Sequence, residues 1–502
     1  MTIFGFNLLE LFQPLNMVLC FAGVFIGLLV GALPGLGTTL AIALVLPFTW
    51  SLKPLTAILL LLCVYQGAEY GGSISSIILG IPGTAGAAAT ALDGNALAKQ
   101  GKPSEAIRYS LAASTVGGLA GAAVMLFFTK PIGTFALGFS APDYCMLGLI
   151  ACIAVISMSS GSYVKGLISV IIGAMLSMVG TDVINGAVRF AYGRPELYDG
   201  VDTVCLIVAV FAIPELLSVI CDNLNTRYVV STQKEKVKIP LREFADNMKP
   251  AASGSLIGIV IGIFPGLGGG VAAWLSYMFT SRTSKNPESF GKGNPRGITA
   301  PESANNASVA GSMIPMLSMG IPGSSAAAII GAAFTMQGIQ VGPMLFNSDP
   351  HLVYGIFFGF FLSVIALYLL GRALTPFFSR ILVIRNSILV PILLLLCLIG
   401  GFASKKLFLH LWIALILGIL FFAMKRLSYP LAPVIIAFIL GPIIEKNFRR
   451  ALSLSMGSYS IFYQSLCSKV ILAVLVLVIC YPLLKRAADR RKGAEDENIG
   501  RD

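Results

Sequence analysis

Apolar stretches follow one another along almost the whole chain, at about 15–33, 38–50, 55–68, 106–128, 142–158, 164–180, 201–221, 251–264, 351–371, 387–402, 407–424, 430–444 and 470–484. Several approach the ~20 residues that a helix needs to cross a hydrocarbon core about 30 Å thick, and others fall well short. Backbone that is not helical survives in a bilayer only where protein or a water-filled cavity satisfies its N–H and C=O groups, so the short runs predict broken or re-entrant helices. No Lys or Arg precedes Lys53. The positive region of a cleavable signal is therefore missing, and the run from Leu15 to Leu33 is expected to stay as a membrane helix.

Composition strengthens this picture. Hydrophobic residues make up 56% of the 502 positions and charged residues 12%, against about 25% charged in an average soluble chain, and the mean hydropathy is +0.86. A soluble interior grows too slowly with length to hide so much apolar surface, whereas a bilayer accepts it on the outside of every helix. The expected class is an all-α polytopic membrane protein, which excludes a soluble enzyme and a disordered chain.

The net charge of +12 comes from 35 Lys and Arg. They lie between the apolar runs, as membrane topology requires, and form no charged face for nucleic acid. The longest interior polar stretch, Asp222 to Lys249, carries Arg227, Lys234, Lys236, Lys238, Arg242 and Lys249 against four acids. It divides the chain into halves at 1–221 and 250–484, with a linker at 222–249 and a charged tail at 485–502. The positive-inside rule places the linker and the C-terminus in the cytoplasm. Nine cysteines, among them Cys63, Cys152, Cys397 and Cys480, are scattered singly without metal or disulfide spacing. They read as packing residues, and His351 and His410, each opening an apolar run, read as structural.

The halves match each other. GALPGLGTTLA at 31–41 recurs as GIFPGLGGGVA at 262–272, and LGIPGTAGAAA at 79–89 recurs in the same order as MGIPGSSAAAI at 319–329. The two prolines stand 48 residues apart in the first half (34 to 82) and 57 in the second (265 to 322), and the polar insert at 281–297 holds the excess. This is the signature of an internal duplication. Runs too short to span, together with the duplication, predict two inverted halves with Pro-Gly-broken helices meeting near the middle of the membrane.

Each Pro-Gly is expected to break a helix, at Pro34, Gly35 and Gly37, at Pro82 and Gly83, at Pro265, Gly266 and Gly268, and at Pro322 and Gly323. Thr84 in one half, and Ser324 and Ser325 in the other, stand where a half-helix would begin. Its exposed N–H groups, the positive end of its dipole and the hydroxyl form a site for a carboxylate. Carbonyls freed at Gly80 and Gly320 are candidates to hold Na⁺. Ser73 and Ser76 before the first break, and Asn305 and Asn306 before the second, suggest a lined cavity, the asparagines offering carbonyls to a cation or amides to an oxyanion. The competing reading is close packing of small residues, with the hydroxyls and asparagines capping helices. Among intramembrane acids Glu69, Asp93, Glu215 and Glu302 stand out, Glu69 foremost as a proton or cation partner. HExxH, a Walker A sequence and a full GxGxxG are missing, so uphill transport would draw on an ion gradient or another subunit.

YGGSISSIILGIPGTAGAAATALDGNALAKQG at 70–101, FGKGNPRGITAPESANNASVAGSMIPMLSMGIPGS at 290–324 and YPLAPVIIAFILGPIIEKNFRRAL at 429–452 resemble the signature regions of the large membrane subunit of the tripartite tricarboxylate transporters, the TctA type. The likeness runs from about 15 to 485. One departure is visible: Arg296 stands where the family pattern carries an acid. The resemblance implies a secondary active transporter subunit of the bacterial cytoplasmic membrane. It would import a tricarboxylate such as citrate, or a related organic acid, with a small membrane subunit and an extracytoplasmic binding protein, on a Na⁺ or H⁺ gradient and without a cofactor. A stand-alone organic-anion carrier or channel is the second class, and an intramembrane enzyme, for which no nucleophile with its base is found, the third.

Overall fold

In the computed structural model the chain is described at residues 2–3, 5–158, 162–182, 184–223, 241–374 and 386–477. The charged tail and most of the basic linker lie outside these residues; at the linker's edges Asp222 and Asn223 close one helix, and Leu241 to Lys249 open the next. The elements are α1 (Pro14–Ala32), α2 (Gly37–Val45), α3 (Pro54–Leu79), α4 (Thr90–Lys99), α5 (Pro103–Ala136), α6 (Ala141–Met158), α7 (Tyr163–Ser177), α8 (Thr203–Ile207), α9 (Ile213–Asn223), α10 (Leu241–Ile263), α11 (Gly268–Thr283), α12 (Arg296–Met319), α13 (Ser325–Met336), α14 (Leu345–Ser348), α15 (Pro350–Leu374), α16 (Asn386–Lys405), α17 (Phe408–Arg426), α18 (Ala432–Leu454) and α19 (Leu466–Leu477). Two two-residue hairpins are the strands among the described residues. The chain is therefore an all-α polytopic membrane protein. Among the described residues six helical stretches are long and apolar enough to cross a membrane: α1, α3, α5, Thr203–Asp222, α15 and α17.

Two compact units form, one from Met1–Leu137 with Val201–Leu427 and one from Gly138–Gly200 with Ser428–Asp502. In the first, α3 and α12 are the centre: every residue from Leu55 to Ile77 and from Gly297 to Ser318 is buried. The runs of hydrophobic sequence do not mark α12, because its Ser, Asn, Gly and Pro face protein and not lipid. α4 and α11 are not marked either, and α13 is missed although it is apolar, being only 12 residues long.

Glycines spaced by four bring the flanking helices onto this centre. On α1, a Cβ at Gly23, Gly27 or Gly31 would lie 2.8, 2.3 or 2.2 Å from the carbonyl oxygens of Leu60, Val64 and Ala68. On α10, a Cβ at Gly254, Gly258 or Gly262 would lie 2.4, 2.2 or 2.7 Å from those of Ala300, Ala304 and Ser308. Backbone thus rests on backbone in both halves, the geometry that small-xxx-small spacing permits. α5, from the first half, packs on α12, its Gly117 standing against the Ser303 carbonyl. α15, from the second half, packs on α3, its Gly355 and Gly359 standing against Leu55 and Leu59.

The second unit holds α6, α7, α18 and α19. Gly173 of α7 lies against the Val434 carbonyl of α18. Beside them Asp182 pairs with Arg189 and, at 2.7 Å, with Arg449, while Glu445 takes both arginines at 2.8 and 3.2 Å. Arg449, the Ile184 N–H and Arg189 hold the Asp182 carboxyl well below the usual carboxylate range.

Gly27→Ala and Gly258→Ala should each destabilise the folded protein by about 1–3 kcal/mol, since the facing carbonyls are backbone and cannot yield. Gly331→Ala, whose Cβ meets only the Met316 sulfur at 3.3 Å, should be neutral or stabilising. Thermal unfolding of the three variants in nanodiscs checks the contrast. Because the Asp182 carboxyl is depressed on folding, its contribution is present above the ordinary carboxylate pKa of ~3.9 and is lost as pH falls through that value toward the folded one. Melting between pH 7 and 3.5 should show an acid-side decline that Asp182→Asn flattens.

Candidate functional site

Each half ends its central helix in the same way. α3 stops at Gly80 (φ 72°) and α12 at Gly320 (φ 78°), left-handed caps that glycine adopts without penalty. The chain then doubles back: the Gly83 N–H donates to the Gly72 carbonyl at 3.2 Å and the Gly323 N–H to the Ser312 carbonyl at 3.1 Å. A Cβ on Gly83 would lie 2.0 Å from the Gly31 carbonyl, and one on Gly323 2.5 Å from that of Gly262. The two motifs of each half are therefore packed on one another. Gly35 and Gly37 (φ 87° and 70°) and Gly266 and Gly268 (φ 85° and 60°) turn the chain out of α1 and α10 in matching conformations.

Beyond the turns the halves differ. After Pro322, buried with its neighbours, α13 starts at once and the Ser324 hydroxyl accepts the Ala327 N–H at 3.1 Å. After Pro82, which is exposed, the expected half-helix does not form directly. A single 3₁₀ turn, Ala85–Ala87, comes first, its N-cap Thr84 making no cap hydrogen bond, and α4 begins only at Thr90. The physical reason is the Asn305 side chain, which occupies the path of the turn: a Cβ on Gly86 would lie 1.9 Å from its Oδ1.

Asn305 and Tyr65 stand at corresponding positions, seventeen residues before Pro322 and Pro82, and each reaches across to the other half's break. The Tyr65 hydroxyl lies 3.1 Å from Ser324 Oγ and 3.4 Å from Ser312 Oγ, so the second break is filled. At the first break Asn305 sits between Gly86 and Gly269. Glu69 accepts the Thr38 hydroxyl at 2.9 Å, and Asn305 and Thr84 are turned toward the same carboxylate. Neither completes a hydrogen bond of ordinary geometry: both polar atoms of the Asn305 amide and the Thr84 hydroxyl are buried and unpartnered. One carboxylate, two hydroxyls and an amide thus converge in a buried place with bonding capacity to spare.

One helical turn away the other acid is saturated. Glu302 Oε1 accepts from Ser73 (2.6 Å) and Thr90 (2.5 Å), and Oε2 from Ser110 and Ser114 (both 3.0 Å). Four hydroxyls fill the four acceptor sites of a carboxylate and tie α3, α4 and α5 to α12. Asn306 donates to the Glu302 carbonyl at 3.2 Å while its own Oδ1 is unpartnered, as are the Gln66 amide and the Tyr70 hydroxyl.

The remaining candidates have structural surroundings. Asp93 accepts the Gly293 and Asn294 N–H groups (2.9 and 2.7 Å) and the Tyr277 hydroxyl (2.9 Å), which pins the loop before α12. Glu215 pairs with Lys425 at 2.6 Å. Ser76 donates to the Gly72 and Ala87 carbonyls. Ser325 is the half-buried first residue of α13. Gly80 and Gly320 cap α3 and α12, 11 residues beyond Glu69 and 15 beyond Asn305. Among the described residues no three His, Cys, Asp or Glu gather, so a cation at the first break would be held by one carboxylate and neutral oxygens. Sequence reasoning passed over Thr38, Tyr65, Thr90, Ser110 and Ser114; a polar residue within a small-residue helix was the available signal.

This broken-helix architecture coincides with a match between residues 17–436 and the model of the tripartite tricarboxylate transporter TctA family. The chain belongs to that family. It is 33% identical over 478 residues, 95% of each chain, to an uncharacterized 52.8 kDa protein encoded in the TAR-I ttuC′ 3′ region of Agrobacterium vitis. A second Agrobacterium vitis protein, from the TAR-II ttuC′ 3′ region, is 32% identical over 234 residues, 47% of this chain and 97% of its own length. No solved structure matches. The family is one of membrane transporters.

Glu302→Gln leaves at least one hydroxyl facing an amide NH₂ that cannot accept its proton. The expected loss is about 1–3 kcal/mol for each donor so stranded. Ser110→Ala, which removes one donor and strands none, should cost less. Thermal midpoints of both variants, measured beside wild type, test the order.

Proposed function

We propose that this family member is the carrier subunit of a secondary active uptake system for a carboxylate, a tricarboxylate such as citrate or a related organic acid. It takes its substrate from an extracytoplasmic binding protein, works beside a small membrane subunit in the bacterial cytoplasmic membrane, and draws on a Na⁺ or H⁺ gradient. The observation that carries this reading is the first break, where Glu69, Thr38, Thr84 and Asn305 converge with unused polar atoms. Burying such atoms without partners is costly, so their retention favours a ligand. Asn305 alone offers a donor to a substrate oxyanion and an acceptor to a cation. One side chain then feels both ligands, which is what coupling requires.

Inverted halves belong to the same reading. Ser73 meets Glu302 and, further toward the start of α3, Tyr65 meets Ser312 further along α12. The two central helices therefore run in opposite senses, as helices related by an axis in the membrane plane do.

Reconstitution with the small subunit and the binding protein should give accumulation only when the binding protein and an imposed ion gradient are both present. Passive flux without either would point to a channel and overturn the proposal. Within that assay Thr84→Val and Asn305→Ala should weaken substrate affinity about 5- to 150-fold, the equivalent of ~1–3 kcal/mol for a lost polar partner. Glu69→Gln should abolish the dependence on the ion. Ser324→Ala, at the filled break, should have the smallest effect. Unchanged affinities for substrate and ion in correctly inserted Thr84, Asn305 and Glu69 variants would reduce the motif to packing.

A further inference from the structure

Where α10 and α12 begin and α11 ends lies a cavity of about 200 Å³, remote in sequence from either break and with no part in the proposed transport chemistry. Its walls include Asp246, Lys249, Ser253, Thr280, Ser284 and Arg296. Lys249 is engaged by Asp246 at 2.8 Å, and among the described lining residues two cations stand against one carboxylate. The Arg296 guanidinium makes no hydrogen bond or ion pair among the described residues. Thr280 is 6% exposed and its hydroxyl is buried without a partner. Ser284 Oγ accepts the Asn286 N–H at 3.3 Å and keeps its own proton to donate. Three unused donor groups therefore line one small, net positive pocket: a planar fork that matches two oxygens of a phosphate, and two hydroxyls.

The helices that form the pocket continue from it as an apolar surface. On α10 the stripe that starts with Lys249 and Ser253 goes on through Leu256 and Val260, and on α11 the stripe that ends at Thr283 is preceded by Phe279 and Leu275. Leu256 is 64% exposed and Phe279 50%, and Val260 and Leu275 are exposed with them. Charge and donors sit at one end of the groove and bare hydrocarbon runs away from it. A free anion would use only the first of these features, whereas an amphiphile uses both.

We propose that this groove is a binding site for one anionic phospholipid. The phosphodiester sits against Arg296, Thr280 and Ser284, and the acyl chains lie along Leu256, Val260, Leu275 and Phe279. The energetics follow from the same contacts. Without a phosphate the buried Thr280 hydroxyl is an orphan that weakens the fold, and with one it is satisfied. Basic pockets between helices at the membrane surface recognise headgroups through such contacts. Arg296 thereby has a partner outside the protein.

The test is native mass spectrometry of the full chain after exchange into phosphatidylglycerol, phosphatidylcholine or mixed nanodiscs. Wild type should retain phosphatidylglycerol over phosphatidylcholine, and Arg296→Gln should lower that retention about tenfold, the scale of a charge-assisted contact. Arg296→Lys should restore part of it. Arg282→Gln, which removes an exposed charge just outside the groove, should leave it unchanged. Thr280→Val should also reduce retention, yet raise the melting temperature of delipidated protein, an opposition that a merely structural threonine would not give. Equal retention of phosphatidylglycerol by wild type and a folded Arg296→Gln variant would overturn the proposal. Displacement of the lipid by millimolar inorganic phosphate would overturn it as well, in favour of a free-anion site.

Discussion

A helix that is broken inside a bilayer must find partners for the N–H and C=O groups it frees, and this requirement organises the larger unit. At both breaks the answer is the same. The chain folds back so that Gly83 and Gly323 donate to carbonyls of the long helices they have just left. That return path is open because Gly83 and Gly323 carry no Cβ to meet the carbonyls of Gly31 and Gly262. Gly31 and Gly262 in turn close the four-residue rows that let α1 lie on α3 and α10 on α12. Helix pairing and helix breaking are consequences of one set of small residues.

Within this frame two carboxylates nine-tenths or more buried have opposite fates. Glu302 is met by four hydroxyls from three helices and has no capacity left, so it acts as a fastening between sequence-distant parts. Glu69 holds one hydroxyl at hydrogen-bonding distance and faces two more side chains whose polar atoms are unspent. Saturation marks a fastening, and spare capacity is what the proposed ligand would use. The distinction depends on partners and not on residue type, since both are glutamates in buried helices. Tyr65 and Asn305 repeat the lesson: at corresponding positions the phenol is hydrogen-bonded at the second break, and the amide keeps both polar atoms unpartnered at the first.

The sequence by itself determined the membrane class, because hydropathy measures transfer into lipid and most of the chain's helices have lipid on one side. It also determined where the helices break, since proline and glycine act locally through their own backbone. It named Glu69 because charge is costly in a bilayer, Thr84 because it stands where a half-helix would begin, and Asn305 because it is a polar residue placed just before a break. What only the tertiary structure decided is everything that rests on contact between distant segments. α12 is polar enough to pass for a loop and is nonetheless the buried centre, because its neighbours are protein. Asp93 serves a loop 200 residues away, and the first break delays its helix because Asn305 from the other half stands in the way. A residue's own chemistry sets what it can bond, and is written in the chain. Which partners reach it, and whether any bonding capacity is left over, is set by the packing of helices far apart in sequence, and no local pattern records it.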